Sequence, residues 1–150
     1  MKKSLIILII LLPFHAFSQI NETFSDGNFT QNPVWTGTTE NFKVNTQFQL
    51  QSQAATTSKS YLSTPSEAFE DAVWEFWVKI AYTTSSSNYA SVYVTSDRAD
   101  VSGDCYGYYV QVGNTNDEIS LYRQERKKKT KIIDGTDKVI DINPVEVRVK

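Results

Sequence analysis

Apolar and polar residues alternate with a period of two along much of the chain that follows residue 41. The alternating segments are short, and clusters of turn-forming residues separate them, for example at 83–88 and 113–116. Successive side chains of a β-strand point to opposite faces, so this pattern indicates strands with one apolar and one polar face. About ten such strands, with no helical periodicity between them, predict an all-β fold, an antiparallel β-sandwich.

The segment 73–82, VWEFWVKIAY, is the strand around which we expect the chain to be organised. One of its faces is almost wholly apolar and suits the middle of a core. The other face combines Trp77 with the charged residues Glu75 and Lys79, which suits a solvent-exposed functional surface. The apolar face consists of Trp74, Phe76, Val78, Ile80 and Tyr82.

Three further alternating segments, 89–95, 106–112 and 118–124, follow this strand. Their parity predicts that aliphatic residues and Tyr108 face the core, whereas Tyr93, Tyr109 and Tyr122 face outward. Later segments at 139–142 and 145–150 are also predicted to be strands. The last one runs to Lys150 with no closing turn, which suggests that the domain continues beyond the given sequence.

The first eighteen residues have the pattern of a secretory signal peptide. Lys2 and Lys3 precede an unbroken apolar run at 5–12, and Ala16-Phe17-Ser18 supplies a small-x-small cleavage site. The apolar run is much shorter than the ~20 residues that span a bilayer. The sequence therefore predicts a signal peptide at 1–18, a β-sandwich domain at 19–150, secretion or cell-surface display, and no transmembrane segment after cleavage.

Composition and charge narrow the class of protein. The chain has 150 residues, of which 40% are hydrophobic and 21% are charged, as expected for one globular domain. The formal net charge of -2 becomes about -4 once Lys2 and Lys3 are removed, with 13 basic against 17 acidic residues. A net acidic chain of this kind is not expected to bind nucleic acid.

Catalytic residues are not evident in this sequence, and we expect a protein that is not an enzyme. His15, the only histidine, lies in the signal peptide, so the domain has no imidazole for a catalytic triad or a zinc site. Glycosidases need a pair of carboxylates, but the same-face neighbours of Glu75 are Val73, Trp77 and Lys79. Cys105, the only cysteine, cannot pair internally; a tolerated thiol and an intermolecular disulfide both remain open.

Four segments of the sequence resemble a known group of proteins. These are FSDGNFTQNPVW at 24–35, WEFWVKI at 74–80, SSNYASVYVTSD at 86–97 and GYYVQVGNTNDEISLYRQ at 107–124. They are similar to the N-terminal β-sandwich region of secreted multidomain Bacteroidetes proteins that carry a lamin-tail domain. The resemblance implies a jelly roll of the concanavalin A-like or laminin-G-like kind, export, and a non-enzymatic accessory role. It supplies no ligand-binding residues.

If segments 73–82, 89–95, 106–112 and 118–124 form one meander, their large outward aromatic residues lie on one face of the sheet. Flat rings stack on the apolar faces of sugars, and neighbouring amide, carboxylate and ammonium groups hydrogen-bond sugar hydroxyls. This composition predicts a recognition or adhesion module that binds glycan or another cell-surface polymer. The alternatives are that this face is covered and that the domain is a structural spacer or a protein-interaction domain. The candidate ligand-binding residues are Trp77, Tyr93, Tyr109, Tyr122, Glu75, Lys79 and Gln111.

Two charged clusters have candidate roles of their own. Asp97, Asp100 and Asp104 share one loop, and hard cations prefer carboxylate oxygens, so this loop is a candidate calcium site. The alternative is an ordinary solvent-facing loop. The basic run at 126–129 is predicted to be a hairpin tip that protects a strand edge, with binding of an acidic polymer as the alternative.

Overall fold

A computed structural model describes residues 20–67 and 70–150, so the predicted signal peptide at 1–18 lies outside the described residues. Within these two ranges the chain forms ten β-strands and one short 3₁₀ helix, and every strand pairing is antiparallel. The predicted all-β antiparallel fold is therefore confirmed. None of the helical structure in these ranges is long and apolar enough to cross a membrane.

The strands form one four-stranded sheet and three two-stranded sheets. The large sheet has the order β6-β7-β8-β9, and the small sheets pair β5 with β10, β2 with β3 and β1 with β4. The strands are β1 (Thr36–Gly37), β2 (Phe42–Val44), β3 (Leu50–Ser52), β4 (Leu62–Ser63), β5 (Phe76–Ile80), β6 (Ala90–Ser96), β7 (Cys105–Val112), β8 (Ile119–Arg126), β9 (Lys128–Ile133) and β10 (Val145–Val149). The 3₁₀ helix covers Thr39–Asn41 and leads directly into β2.

The four-stranded sheet is a meander, because each strand pairs with the next one along the chain. The turn between β7 and β8 depends on Gly113, whose φ of +94° is one that residues with a Cβ rarely adopt. A Cβ at this position would also overlap the side chain of Thr84. The turn between β8 and β9 is very tight, with Arg126 in the left-handed region at a φ of 57°.

The core lies between the four-stranded sheet and the sheet of β5 and β10. Its centre is formed by Ile80, Val112 and Ile140, which are almost fully buried. Apolar residues of both sheets pack around these three, and this packing makes the two sheets the layers of a sandwich. The surrounding residues are Val78, Tyr82, Ala90, Val110, Ile119, Val145 and Val147.

Two predictions about the strands are wrong. Residues 139–142 do not form a strand: residues 137–140 make a turn that inserts Ile140 into the core. The segment 73–82 does not join the meander that follows it, because β5 pairs with β10, with Val78 opposite Val147. Alternation identifies a strand and its two faces, but the partner of β5 lies far away in the sequence and is selected by packing.

Candidate functional site

Three of the predicted site residues form a row of stacked rings across the four-stranded sheet. Tyr109 lies opposite Tyr93 on one side and opposite Tyr122 on the other. The ring centroids are 4.8 Å apart for Tyr93 and Tyr109 and 5.2 Å apart for Tyr109 and Tyr122, with interplanar angles of 28° and 10°. The three tyrosines therefore share one face, as their parity predicts, and they stack on one another.

This tyrosine row is largely closed to solvent at its centre. Tyr109 is only 1% exposed, because each face of its ring is covered by a neighbouring tyrosine. Lys129 adds a further cover, with its Nζ 5.5 Å from the Tyr109 ring centroid. Burial raises the pKa of Tyr93 and of Tyr109 above the ordinary tyrosine value. A sugar ring cannot stack on a ring whose two faces are already occupied.

Hydrogen bonds fix the row to the loop that precedes β7. The Tyr93 hydroxyl donates to Gln124 Oε1 at 2.5 Å. Gln124 Nε2 in turn donates to the carbonyl oxygens of Gly103 and Arg126 at 2.9 and 2.6 Å. Because Gln124 is buried and fully engaged in these contacts, we assign the tyrosine row to stability. Tyr108, which was predicted to face the core, is instead 42% exposed.

Trp77 lies on the other layer of the sandwich, away from the tyrosine row. It is 63% exposed in β5 and lies opposite Arg148 of β10. The Arg148 guanidinium carbon is 5.8 Å from the centroid of the Trp77 ring, within the range of a cation–π contact. Arg148 also donates from Nε and Nη2 to Glu75 Oε1, at 2.9 and 2.6 Å. The structure therefore separates Trp77 from the tyrosines with which it was grouped.

A second oppositely charged pair of residues lies beside Trp77 on the same exposed face. Lys79 lies opposite Glu146 of β10, and both residues are exposed. We call this surface the Trp77 face and define it by Glu75, Trp77, Lys79, Glu146 and Arg148. Sequence reasoning missed Glu146 and Arg148. Their alternation with Val145, Val147 and Val149 was visible, but only the pairing of β10 with β5 brings them to Trp77.

Gln111 and Cys105 of β7 have local structural roles. Gln111 Nε2 donates to the carbonyl oxygen of Gly113 at 3.0 Å and so holds the turn that follows its own strand. Cys105 is almost completely buried at the other end of β7. A buried thiol packs as a small apolar group and is not accessible to a second molecule. Neither residue lies in the sheet that carries Trp77.

The three aspartates of the 96–104 loop do not assemble into a metal site. Asp97 Oδ1 accepts a hydrogen bond from the backbone N–H of Tyr106 at 2.7 Å. Asp100 Oδ1 accepts from the N–H and the hydroxyl of Ser102, at 2.9 and 2.6 Å, and these bonds lower the Asp100 pKa. Across 20–67 and 70–150, no group of three or more His, Cys, Asp or Glu residues is arranged to hold a metal ion. Asp97 and Asp100 instead organise the loop.

A buried charged cluster around Glu118 was not foreseen from the sequence. Glu118 Oε1 accepts hydrogen bonds from Lys131 Nζ at 2.5 Å, Ser120 Oγ at 2.7 Å and Asn114 Nδ2 at 2.8 Å. The Lys131 ammonium also contacts Asp134 at 2.5 Å. The hydrogen bond from Lys131 is the main reason that the pKa of Glu118 is lowered from 4.5 to about 2. The cluster connects the β7–β8 turn to β9.

The lowered pKa of Glu118 predicts an acid-dependent loss of stability. A carboxyl group whose pKa is lower in the folded state stabilises the fold above its unfolded-state pKa and loses that effect as pH falls. We expect the free energy of unfolding to fall between about pH 4.5 and pH 2, with Glu118 contributing at most about 1.4 kcal/mol per pH unit. Urea titrations at several pH values measure this slope.

A Glu118→Gln variant tests whether Glu118 causes the slope. Its stability is expected to be lower at neutral pH but less dependent on pH between 4.5 and 2. Glu125→Gln is the matched control, because Glu125 is a partly exposed glutamate on β8, the strand that follows Glu118. An unchanged slope in Glu118→Gln would contradict the assignment.

Comparisons with protein-family models, curated proteins and solved structures found no match to this chain. Function is therefore inferred from the fold and from the residues that it exposes.

Proposed function

We propose that this chain is an exported, non-catalytic recognition module that binds glycan on the Trp77 face. The observation that carries the proposal is the 63% exposure of Trp77 in the middle of a sheet face. Leaving a large indole in water forgoes a favourable burial of roughly 2–3 kcal/mol, so an exposed tryptophan among polar groups is characteristic of a binding surface. Trp77 thus replaces the tyrosine row as the centre of the predicted site.

The groups around Trp77 suit a sugar chemically. An indole face packs against the C–H face of a sugar ring, and the adjacent charged groups can accept or donate hydrogen bonds to hydroxyls. Glu75 and Arg148 hold each other at 2.6 Å, so both are oriented before a ligand arrives. The Trp77 face carries two acidic and two basic residues and is formally neutral, which favours an uncharged glycan.

A non-catalytic role is supported by the positions of two glutamates. Glu75 is paired with Arg148, and the next charged residue along its own strand face is Lys79, not a second carboxylate. The other carboxylate of the Trp77 face, Glu146, lies opposite Lys79 on β10. Glu118 is buried and has a lowered pKa, which is the opposite of what a general acid requires. The resemblance to accessory β-sandwich regions of secreted proteins agrees with this role and with export.

The alternative function is a spacer or protein-interaction domain. Within the described residues, β5 and β10 each pair on one side only, and an unpaired strand edge can accept a strand from another protein. Such a partner would bind through backbone groups of the edge. Binding of that kind depends little on the Trp77 side chain, and this difference separates the two functions.

Binding to an array of neutral polysaccharides tests the proposal. We expect the protein to bind at least one glycan class and Trp77→Ala to weaken that binding about tenfold or more, which corresponds to roughly 1.4 kcal/mol. Ile133→Ala is the matched control, because Ile133 is an exposed apolar residue of β9 in the four-stranded sheet, away from the Trp77 face. The control is expected to bind like the wild type. Failure to bind any neutral glycan, or equal binding by Trp77→Ala, would contradict the proposal.

A further inference from the structure

The face of the four-stranded sheet that carries the core is covered at one end only. The β5–β10 layer packs against Val110 and Val112 of β7. Tyr106 and Tyr108 lie on the same face of β7 by parity, but both are about half exposed. Residues two apart on a strand are separated by about 7 Å along it, so both rings can contact one extended ligand.

Basic side chains surround these two exposed tyrosines. Arg123 of β8 lies opposite Tyr108, and Arg126 Nε donates to the Tyr106 hydroxyl at 3.0 Å. Glu125 lies opposite Tyr106 on one side and opposite Lys128 of β9 on the other, without an ion pair to Lys128. Segment 123–131 contains six basic residues and one acidic residue, in a chain that is net acidic. Positive charge is therefore concentrated at this end of the sheet.

Two of these cations, Lys127 and Lys128, are available to a ligand. Lys131 is engaged by Glu118 and Asp134, and Arg123 is paired with Glu125. Lys127 and Lys128 make no ion pair with any residue in the described parts of the chain, and both are exposed. Three aspartates of the 96–104 loop lie near this end, and the charge of Asp104 contributes, after the hydrogen bond to Tyr106, to the raised pKa of Arg126. The uncompensated positive charge is therefore that of Lys127 and Lys128.

We propose that this surface, which we call the tyrosine–basic ledge, binds an anionic polysaccharide. The ledge consists of Tyr106, Tyr108, Arg123, Arg126, Lys127 and Lys128. Exposed tyrosine faces stack on sugar rings, and guanidinium and ammonium groups bind carboxylate or sulfate, with arginine able to do so bidentately. The ledge differs from the Trp77 face in its layer of the sandwich and in its charge, and this proposal does not depend on the Trp77 face being functional.

Binding to polygalacturonate, with its fully methyl-esterified form as the uncharged counterpart, tests the ledge. The wild type is expected to bind the acid form at least about tenfold more tightly than the ester, with an affinity that falls as salt concentration rises. Lys127→Gln/Lys128→Gln and Tyr106→Ala/Tyr108→Ala are each expected to weaken binding about tenfold. Lys43→Gln/Lys59→Gln, which removes two exposed lysines outside the ledge, is the charge-matched control. This control and Trp77→Ala are both expected to bind as tightly as the wild type.

Three outcomes would overturn the proposal. The first is no preference for the acid form over the ester. The second is equal binding of duplex DNA together with no effect of the tyrosine substitutions, which would indicate a non-specific cationic surface. The third is an equal loss of binding in Lys43→Gln/Lys59→Gln or in Trp77→Ala. If the double tyrosine variant does not fold, the lysine double variant still decides between these results.

Discussion

Replacing Tyr109 with alanine is expected to destabilise the domain by about 3–5 kcal/mol, the range observed when a large buried aromatic residue is truncated. Tyr109 is 1% exposed and stacks on a ring at each side, so its loss removes buried area and two aromatic contacts together. A loss of this size is a large part of the stability of a single domain. Chemical denaturation followed by circular dichroism measures it.

The adjacent tyrosine provides the control for this experiment. Tyr108→Ala removes a side chain of the same size from the same strand, but that side chain is 42% exposed, and we expect a loss of about 1 kcal/mol or less. Tyr109→Phe keeps the stacked ring and is expected to be much closer to wild type. Equal losses in Tyr108→Ala and Tyr109→Ala would mean that the tyrosine row is not the buried face.

Replacing Ile140 with alanine is expected to cost about 2–4 kcal/mol, because it opens a cavity where the two sheets meet. Ile140 is 4% exposed and lies in the turn between β9 and β10. Its backbone N–H donates to the carbonyl oxygen of Asp117 at 3.1 Å, which holds the turn against the β7–β8 connection. Urea denaturation compared with wild type measures the cost.

Ile142 offers a matched control two residues away. It is 77% exposed, so Ile142→Ala removes the same atoms from water instead of from the core and is expected to change stability by less than about 0.5 kcal/mol. The assignment of Ile140 to the core would be refuted by a loss in Ile140→Ala no larger than that in Ile142→Ala.

Period-two alternation predicted correctly which residues share a sheet face, but it predicted poorly how exposed those residues are. Tyr93, Tyr109 and Tyr122 do share a face, because parity follows directly from strand geometry. Parity does not determine how far a second layer extends over either face. Tyr108 is exposed because the β5–β10 layer stops short of it, and Tyr109 is buried because its own neighbours cover it.

Pairing between distant segments is the second property that local patterns could not supply. The sequence identified Trp77, Glu75 and Lys79 as members of one polar strand face. Arg148 and Glu146 joined them only through the pairing of β10 with β5, which local alternation cannot select. A polar residue inside an alternating segment, such as Glu118 before β8, likewise gives no local sign that Asn114, Ser120 and Lys131 will meet it.

Segregation of charge gives the two proposed surfaces different expected ligands. The Trp77 face balances two acidic residues against two basic residues, whereas the tyrosine–basic ledge is dominated by cations. Binding to the ledge is therefore expected to weaken strongly with salt, and binding to the Trp77 face is expected to change little.

The indole N–H resonances of the protein give the most direct test of the Trp77 face. The domain contains Trp35, Trp74 and Trp77, and a Trp77→Phe variant identifies the Trp77 signal by its disappearance. During titration with a neutral glycan selected on the array, we expect the Trp77 signal to shift and the signal of Trp35 to stay in place. Saturable binding that leaves the Trp77 signal unchanged would contradict the proposed site.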